Sequence, residues 1–189
     1  MGPTKKTARQ KYYLEWNLVW KLLVIMLVSG LFLVSIYQIT DHRIRRQQEA
    51  EREKAVVSVI PGATDYRKVD NSMYPLYLGL DQQLKPVGYA MEIEGSGFQG
   101  TITLMVGINA QKRQVSGIKV LEMAETPGLG ARIEEPWFKE QFSHKSFHEP
   151  FVVGEDVEAI SGATISSEAV ARLVNKAVSR FEKRDSPIE

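Results

Sequence analysis

No cysteine occurs anywhere in the chain. That single absence removes disulfides, thiolate metal sites, iron–sulfur ligation and a cysteine nucleophile together. Any redox work must then run on a bound organic cofactor. Histidine is scarce: only His42, His144 and His148 are present. The last two stand four apart and would share one face of a helix, with Glu149 as the obvious neighbour. That spacing specifies no metal geometry, so two surface histidines are the plainer reading and no metal site is expected. Neither sign of charge dominates, since 24 basic and 23 acidic residues leave a net +1. No electrostatic footprint for nucleic acid exists, and nucleic acid is not an expected partner. No Ser/His/Asp set and no Walker loop is present, so no residue is assigned a catalytic role and the chain alone should turn over no small substrate.

What is present suits a folded protein. Charged residues make up 25% and hydrophobic ones 43% of a 189-residue chain, enough for one domain plus appendages. The run from Leu18 to Ile39 carries one charge, Lys21, near its start. As a helix it would span about 33 Å at ~1.5 Å per residue, close to a hydrocarbon core of ~30 Å. Lys21 can snorkel to the interface. Trp16 and Trp20 mark one boundary and Tyr37 the other, where amphipathic rings prefer to lie. A cleaved signal peptide is a poorer reading, because Thr40-Asp41-His42-Arg43 offers no small-x-small cleavage site. A retained single-pass anchor in contact with membrane lipid is expected. Lys5, Lys6, Arg9 and Lys11 precede it and Arg43, Arg45 and Arg46 follow it, so the positive-inside rule casts no decisive vote on orientation. Ser29-Gly30 and Ser35 would suit a helix–helix contact or simple tolerance of small residues.

The expected organisation is a basic tail over 1–16, a transmembrane helix over 17–40, a helical stalk over 41–59, a globular domain over 60–184 and a tail over 185–189. The stretch Asp41 to Lys54 is charge-dense and free of Pro and Gly, so helix continues through it until Pro61-Gly62 stops it. Beyond that, Val87, Tyr89, Met91 and Ile93 alternate, and so do Ile102, Leu104, Val106 and Ile108. Gly95 to Gly100 is a turn-rich connector. Val115–Leu121 makes a third strand after a polar turn, and the set reads as an antiparallel meander. Glu134 to Phe142 suggests a short helix with Pro136 in its first turn. A final helix from about Ser167 to Lys183 buries Ala169, Val170, Leu173, Val174, Ala177, Val178 and Phe181. The soluble part is therefore α+β, with four or five antiparallel strands and two or three flanking helices.

Two segments carry chemistry. In Ser161-Gly162-Ala163-Thr164-Ile165-Ser166-Ser167, small residues admit a ligand close to the backbone, directly ahead of a helix whose N-terminus attracts phosphate. Hydroxyls at 161, 164, 166 and 167 add donors, while Glu168 would repel a phosphate. An ordinary helix N-cap at Ser166 or Ser167 is the competing explanation. In Glu125-Thr126-Pro127-Gly128-Leu129-Gly130, Pro127 and Gly128 fit the two central positions of a type II turn. Such a loop can lay amides and the apolar Leu129 against a planar ligand, or it can be only a tight turn after a strand.

Taken in order, ETPGLG, a Trp-Phe helix, then SGAT before a terminal helix resembles the FMN-binding domain family. The likeness extends back through Gly88-Tyr89-Ala90 and Val106-Gly107-Ile108 to Ile118–Glu122 and covers about residues 55–183. Within that family the G subunits of Rnf-type ion-translocating electron-transport complexes are most alike. The C subunits of sodium-translocating NADH:quinone reductases are related but usually longer. The resemblance implies FMN as cofactor, joined to Thr164 through a phosphoester by a flavin transferase that uses FAD and a divalent metal. Ser161, Gly162 and Ala163 would belong to the recognition motif, and Glu125–Gly130 would pack by the flavin. It further implies other membrane subunits as redox partners, linkage to ferredoxin and NAD, an inner-membrane location, and a domain on the periplasmic face. Two positions depart from the family pattern: Glu158 stands where Asp is common, and Met123 where His often occurs. At this level a membrane-anchored flavin sensor and a structural subunit without flavin remain open alternatives.

Overall fold

In the computed structural model of the chain, the described backbone covers residues 5–69 and 74–185, with side chains described for 16–37, 47–69 and 74–184. The basic residues flanking the apolar run (Lys5, Lys6, Arg9, Lys11, Arg43, Arg45 and Arg46), His42 and the tail beyond Asp185 lie outside the described side chains. The chain divides into two compact units, residues 1–48 and 49–189.

Helix α1 runs from Lys5 to Val59. In the first unit its Trp16–Tyr37 segment, 22 residues of mean hydropathy 2.4, is long and apolar enough to cross a membrane, and none of it is buried within the protein. Ser35 donates its hydroxyl to the Leu31 carbonyl at 2.8 Å, so that polar group is spent within its own helix. The charge-dense stretch continues as helix, as expected.

The second unit is built on a five-stranded antiparallel sheet in sequential order: β1 Asp65–Lys68, β2 Leu76–Leu80, β3 Pro86–Ser96, β4 Thr101–Asn109 and β5 Gln114–Met123. The three strands expected from the sequence, two of them from alternation, are the central and last members of this meander. Met91 and Ile93 on β3, and Ile102, Leu104, Val106 and Ile108 on β4, all face one core. Val87 departs from the expected face and packs against a second core. It lies at the strand end beside the irregularity at Gly79/Leu80, where the β2–β3 register shifts.

The main core is closed by helix α3, Thr164–Asp185, together with an aromatic cluster from the connecting segment. Phe138, on the short helix α2 Pro136–Glu140, packs edge-on to Phe142, which stacks on Phe151. The opposite face of the sheet is covered as well. Ala55, Val56 and Val59, at the end of α1, join Ile60, Ala63, Tyr77, Ala90 and Met105 in the second core. Burying those apolar side chains stabilises the unit by roughly 1.5–3 kcal/mol for each Val or Ile. Residues 49–59, expected as stalk, are therefore part of the globular unit, and its boundary falls at Glu49 rather than at 60. Arg52 reinforces the attachment through a two-pronged ion pair to Glu92 on β3, both contacts 3.2 Å.

Candidate functional site

The two chemically suggestive segments meet. Between them lies a cavity of about 330 Å³, a size suited to a small-molecule site. One wall is the Thr126–Gly130 turn, a second is Gly162 to Ser166, and the third is the β3–β4 loop, which contributes Phe98.

The turn has the expected type II form. Leu129 N–H donates to the Thr126 carbonyl at 3.2 Å, and Gly128 takes a φ of +76° that an L side chain would resist. It presents Leu129, 48% exposed, to the cavity mouth. A short 3₁₀ segment, Gly130–Glu134, follows and buries Ile133.

The second wall differs from the expected helix boundary. α3 starts at Thr164, three residues earlier than the capping signal suggested. Ala163 occupies the cap position, since its carbonyl accepts the first helical bond from Ser167 N–H at 3.0 Å. Ser166 and Ser167 are inside the first turn and buried, so neither is the N-cap. The Ser167 hydroxyl donates to the Ala163 carbonyl at 3.0 Å and accepts Ile160 N–H at 3.1 Å. Ser166 donates to Glu125 Oε2 at 2.8 Å. Of the four hydroxyls, only those of Thr164 and Ser161 stand on exposed residues. Thr164 is the first helical residue and lines the cavity. Gly162, with φ +78°, bends the chain so that Ser161 turns outward.

Glu125 is not on the cavity surface. It is buried, 8% exposed, and its carboxylate also accepts Phe98 N–H at 2.7 Å and Gln99 N–H at 3.3 Å. Pro127, Gly128, Ser161 and Ser167 shape the walls without lining the cavity.

Two lining residues escaped the sequence reading. Phe98 (62% exposed) and Ile165 (49% exposed) are large apolar side chains left in solvent beside Leu129. The available signals were an aromatic placed inside a glycine-rich connector and an isoleucine off the apolar stripe of α3. An exposed apolar group of this kind marks a binding surface. The cavity thus combines a flat apolar rim, bare glycine amides, a free hydroxyl and the N-terminus of a 22-residue helix, which favours an anion. These are the parts a tricyclic ring carrying a phosphate would require, so the residues present fit FMN.

The flanking positions are also placed. Glu158 is exposed, and its backbone is gripped by Gln141, which accepts Glu158 N–H at 2.7 Å and donates to its carbonyl at 3.3 Å. Met123 is half-buried and packs against the main core instead of reaching the cavity. Glu168 is exposed and pairs with Arg172 at 3.6 Å. His144 and His148 are exposed in a non-helical segment, and no metal-binding cluster occurs among the described residues.

Known proteins resemble this chain over most of its length. A family model described as "FMN-binding domain" matches residues 97–179, a span that holds all three walls. The G subunit of the ion-translocating oxidoreductase complex of Methanosarcina acetivorans is 34% identical, over 83% of this chain and 89% of that protein. The protein of the same name from Pseudomonas aeruginosa is 33% identical, over 85% and 86%. The G subunit of the Na(+)-translocating ferredoxin:NAD(+) oxidoreductase complex of Acetobacterium woodii is 27% identical, over 93% and 97%.

Proposed function

The chain belongs to the family formed by the G subunits of ion-translocating oxidoreductase complexes, and from that premise we propose that it carries one FMN, bonded through its phosphate to Thr164 Oγ1, as an electron relay. The coarser role, a subunit of a membrane redox complex with an FMN-binding domain, follows from family membership. The covalent link is supported by one observation above the rest: of the hydroxyl residues lining the cavity, Ser166 is buried on Glu125 and Thr126 is half-buried, whereas Thr164 is exposed.

Bound FMN supplies reversible electron acceptance and release. The chain's own part is to hold it. Phe98, Leu129 and Ile165 would cover the ring with apolar surface, and the first turn of α3 would face the phosphate. Attachment from FAD joins the Thr164 oxygen to the flavin-side phosphorus and breaks the phosphoanhydride bond. AMP leaves, and the hydroxyl proton passes to it or to solvent. A flavin transferase is the implied catalyst, and Glu158 to Thr164 is the segment it would read. Single-pass anchorage through Trp16–Tyr37, with the domain on the periplasmic face, keeps the cofactor tethered where free FMN is not replenished. Linkage to ferredoxin and NAD is carried by the name of the relative from Acetobacterium woodii.

The test is co-expression with and without a flavin transferase, followed by intact and peptide masses. Wild type should gain the mass of FMN less water on the Thr164 peptide, only with the transferase, and Thr164→Val should gain nothing. An unmodified wild type that stays unmodified as Glu158→Asp leaves a structural subunit as the better reading.

A further inference from the structure

The cavity's three walls come from distant parts of the chain, and one carboxylate touches all of them. Glu125 precedes the Thr126–Gly130 turn. Its Oε1 accepts the amides of Phe98 and Gln99, at 2.7 and 3.3 Å, which fixes the β3–β4 loop. Its Oε2 accepts the Ser166 hydroxyl at 2.8 Å, which fixes the first turn of α3. The fold makes room for this group on both sides. A Cβ on Gly97 would lie 2.2 Å from Oε1, and one on Gly130 would lie 2.4 Å from Oε2. Every partner named is a neutral donor. Burying a carboxylate on neutral donors costs desolvation that an apolar side chain would avoid. Packing alone therefore does not account for a glutamate here.

We propose that Glu125 is a positioning residue of the flavin site, clamping its three walls and setting a fixed negative charge one hydrogen bond behind them. The proposal rests on the FMN reading above. The clamp aims Phe98 and holds Ser166, two residues from Thr164, so it presets the cavity before the cofactor arrives. The charge opposes electron gain nearby and so lowers the cofactor's midpoint potential. Glutamine in its place keeps the shape but has one acceptor oxygen instead of two and no charge.

The experiment compares wild type, Glu125→Gln, Ser166→Ala and the double variant as full chains. In the flavin-free protein, amide hydrogen exchange at Phe98 and Gln99 should accelerate in Glu125→Gln, and the two substitutions should combine non-additively. In the flavin-loaded protein, Glu125→Gln should shift the midpoint potential to more positive values and change the flavin circular dichroism. Asp156→Asn, whose partners Lys145, Phe151 and Val152 do not line the cavity, is the control: it should lower stability and leave the potential in place. Unchanged exchange overturns the clamp, and an unchanged potential with full loading overturns its effect on the cofactor. If Glu125→Gln does not fold, Ser166→Ala alone decides, since an unaltered flavin dichroism then overturns the proposal. Wild type that takes up no FMN defeats the FMN reading instead, while the exchange measurement still judges the clamp.

Discussion

A Cβ placed on Gly107 would lie 2.0 Å from the carbonyl oxygen of Val59. This is where the end of α1 settles on the middle of the sheet, backbone against backbone. No rotamer change can relieve such a clash, because the obstructing atom is main chain. Gly107→Ala should lower stability by at least about 1–3 kcal/mol, the usual cost of overpacking. Denaturant or thermal unfolding of the purified chain checks this. The same substitution at the unobstructed Gly128 tests conformation instead, since its φ of +76° opposes any L side chain.

Asp156 sits 2.7 Å from Lys145 and accepts Val152 N–H at 2.6 Å and Phe151 N–H at 3.2 Å. Burial pushes its carboxyl up, but Lys145 and the two amides outweigh that and hold it below its ordinary value of 3.8. A depressed folded value means that the stabilisation is complete above the unfolded value and is lost as pH falls through the folded one. Stability should therefore drop on acidification below 3.8. Asp156→Asn should remove that component, so its unfolding midpoint should depend less on pH between about 5 and about 2.

Tyr77 behaves in the opposite sense. Burial chiefly, then the neighbouring Glu92 charge, pushes its hydroxyl up to about 12, while Arg52 pulls it back. A raised folded value gives stability that is present below the ordinary value of 10.0 and lost as pH rises toward 12. Tyr77→Phe should flatten the alkaline side of the stability profile and delete a tyrosinate that appears at about 12 in an ultraviolet pH titration. Arg52→Met should delay that tyrosinate further, because Glu92 then acts unopposed.

Strands β3 and β4 were legible because each turns alternate apolar residues toward the main core, and β5 because an apolar run follows a polar turn; its buried Val115 and Ile118 stand three apart across a register shift. β1 and β2 were not. β1 is a mostly exposed strand at the sheet edge, and β2 is buried on both faces, so Leu76, Tyr77 and Leu80 show no alternation. The burial of Ala55, Val56 and Val59 could not be read from a short apolar end on a charged helix. It depends on a bare patch at Gly107, which belongs to a distant strand. The site divides in the same way. The ETPGLG turn follows from local stereochemistry and was placed correctly. The start of α3 was misplaced because Ser166 and Ser167 look like caps, whereas their hydroxyls serve Glu125 and the Ile160–Ala163 turn. Phe98 enters only through the Glu125 contact across the fold.

Ser167 supplies the sharpest test of how the turn from Ile160 to Ser167 keeps its shape. Its side chain is fully buried and closes the segment from Ile160 to Ser167 on itself. The hydroxyl accepts Ile160 N–H at 3.1 Å at one end and donates to the Ala163 carbonyl at 3.0 Å at the other. Ser161, Gly162, Ala163 and Thr164 lie inside that closure. Ser167→Ala would strip the buried Ile160 amide of this partner, at a cost of about 1–3 kcal/mol. Helix propensity works the other way by a few tenths of a kcal/mol, so the loss should prevail. If the closure shapes the turn for flavin transfer, the rate of FMN attachment should fall further than the unfolded fraction explains. Ser179→Ala, exposed on the same helix, should change stability by less than about 0.5 kcal/mol and leave attachment intact. Rates and unfolding midpoints measured together separate the two effects. Normal attachment in a destabilised Ser167→Ala protein would mean that the hydroxyl serves the fold and not the site.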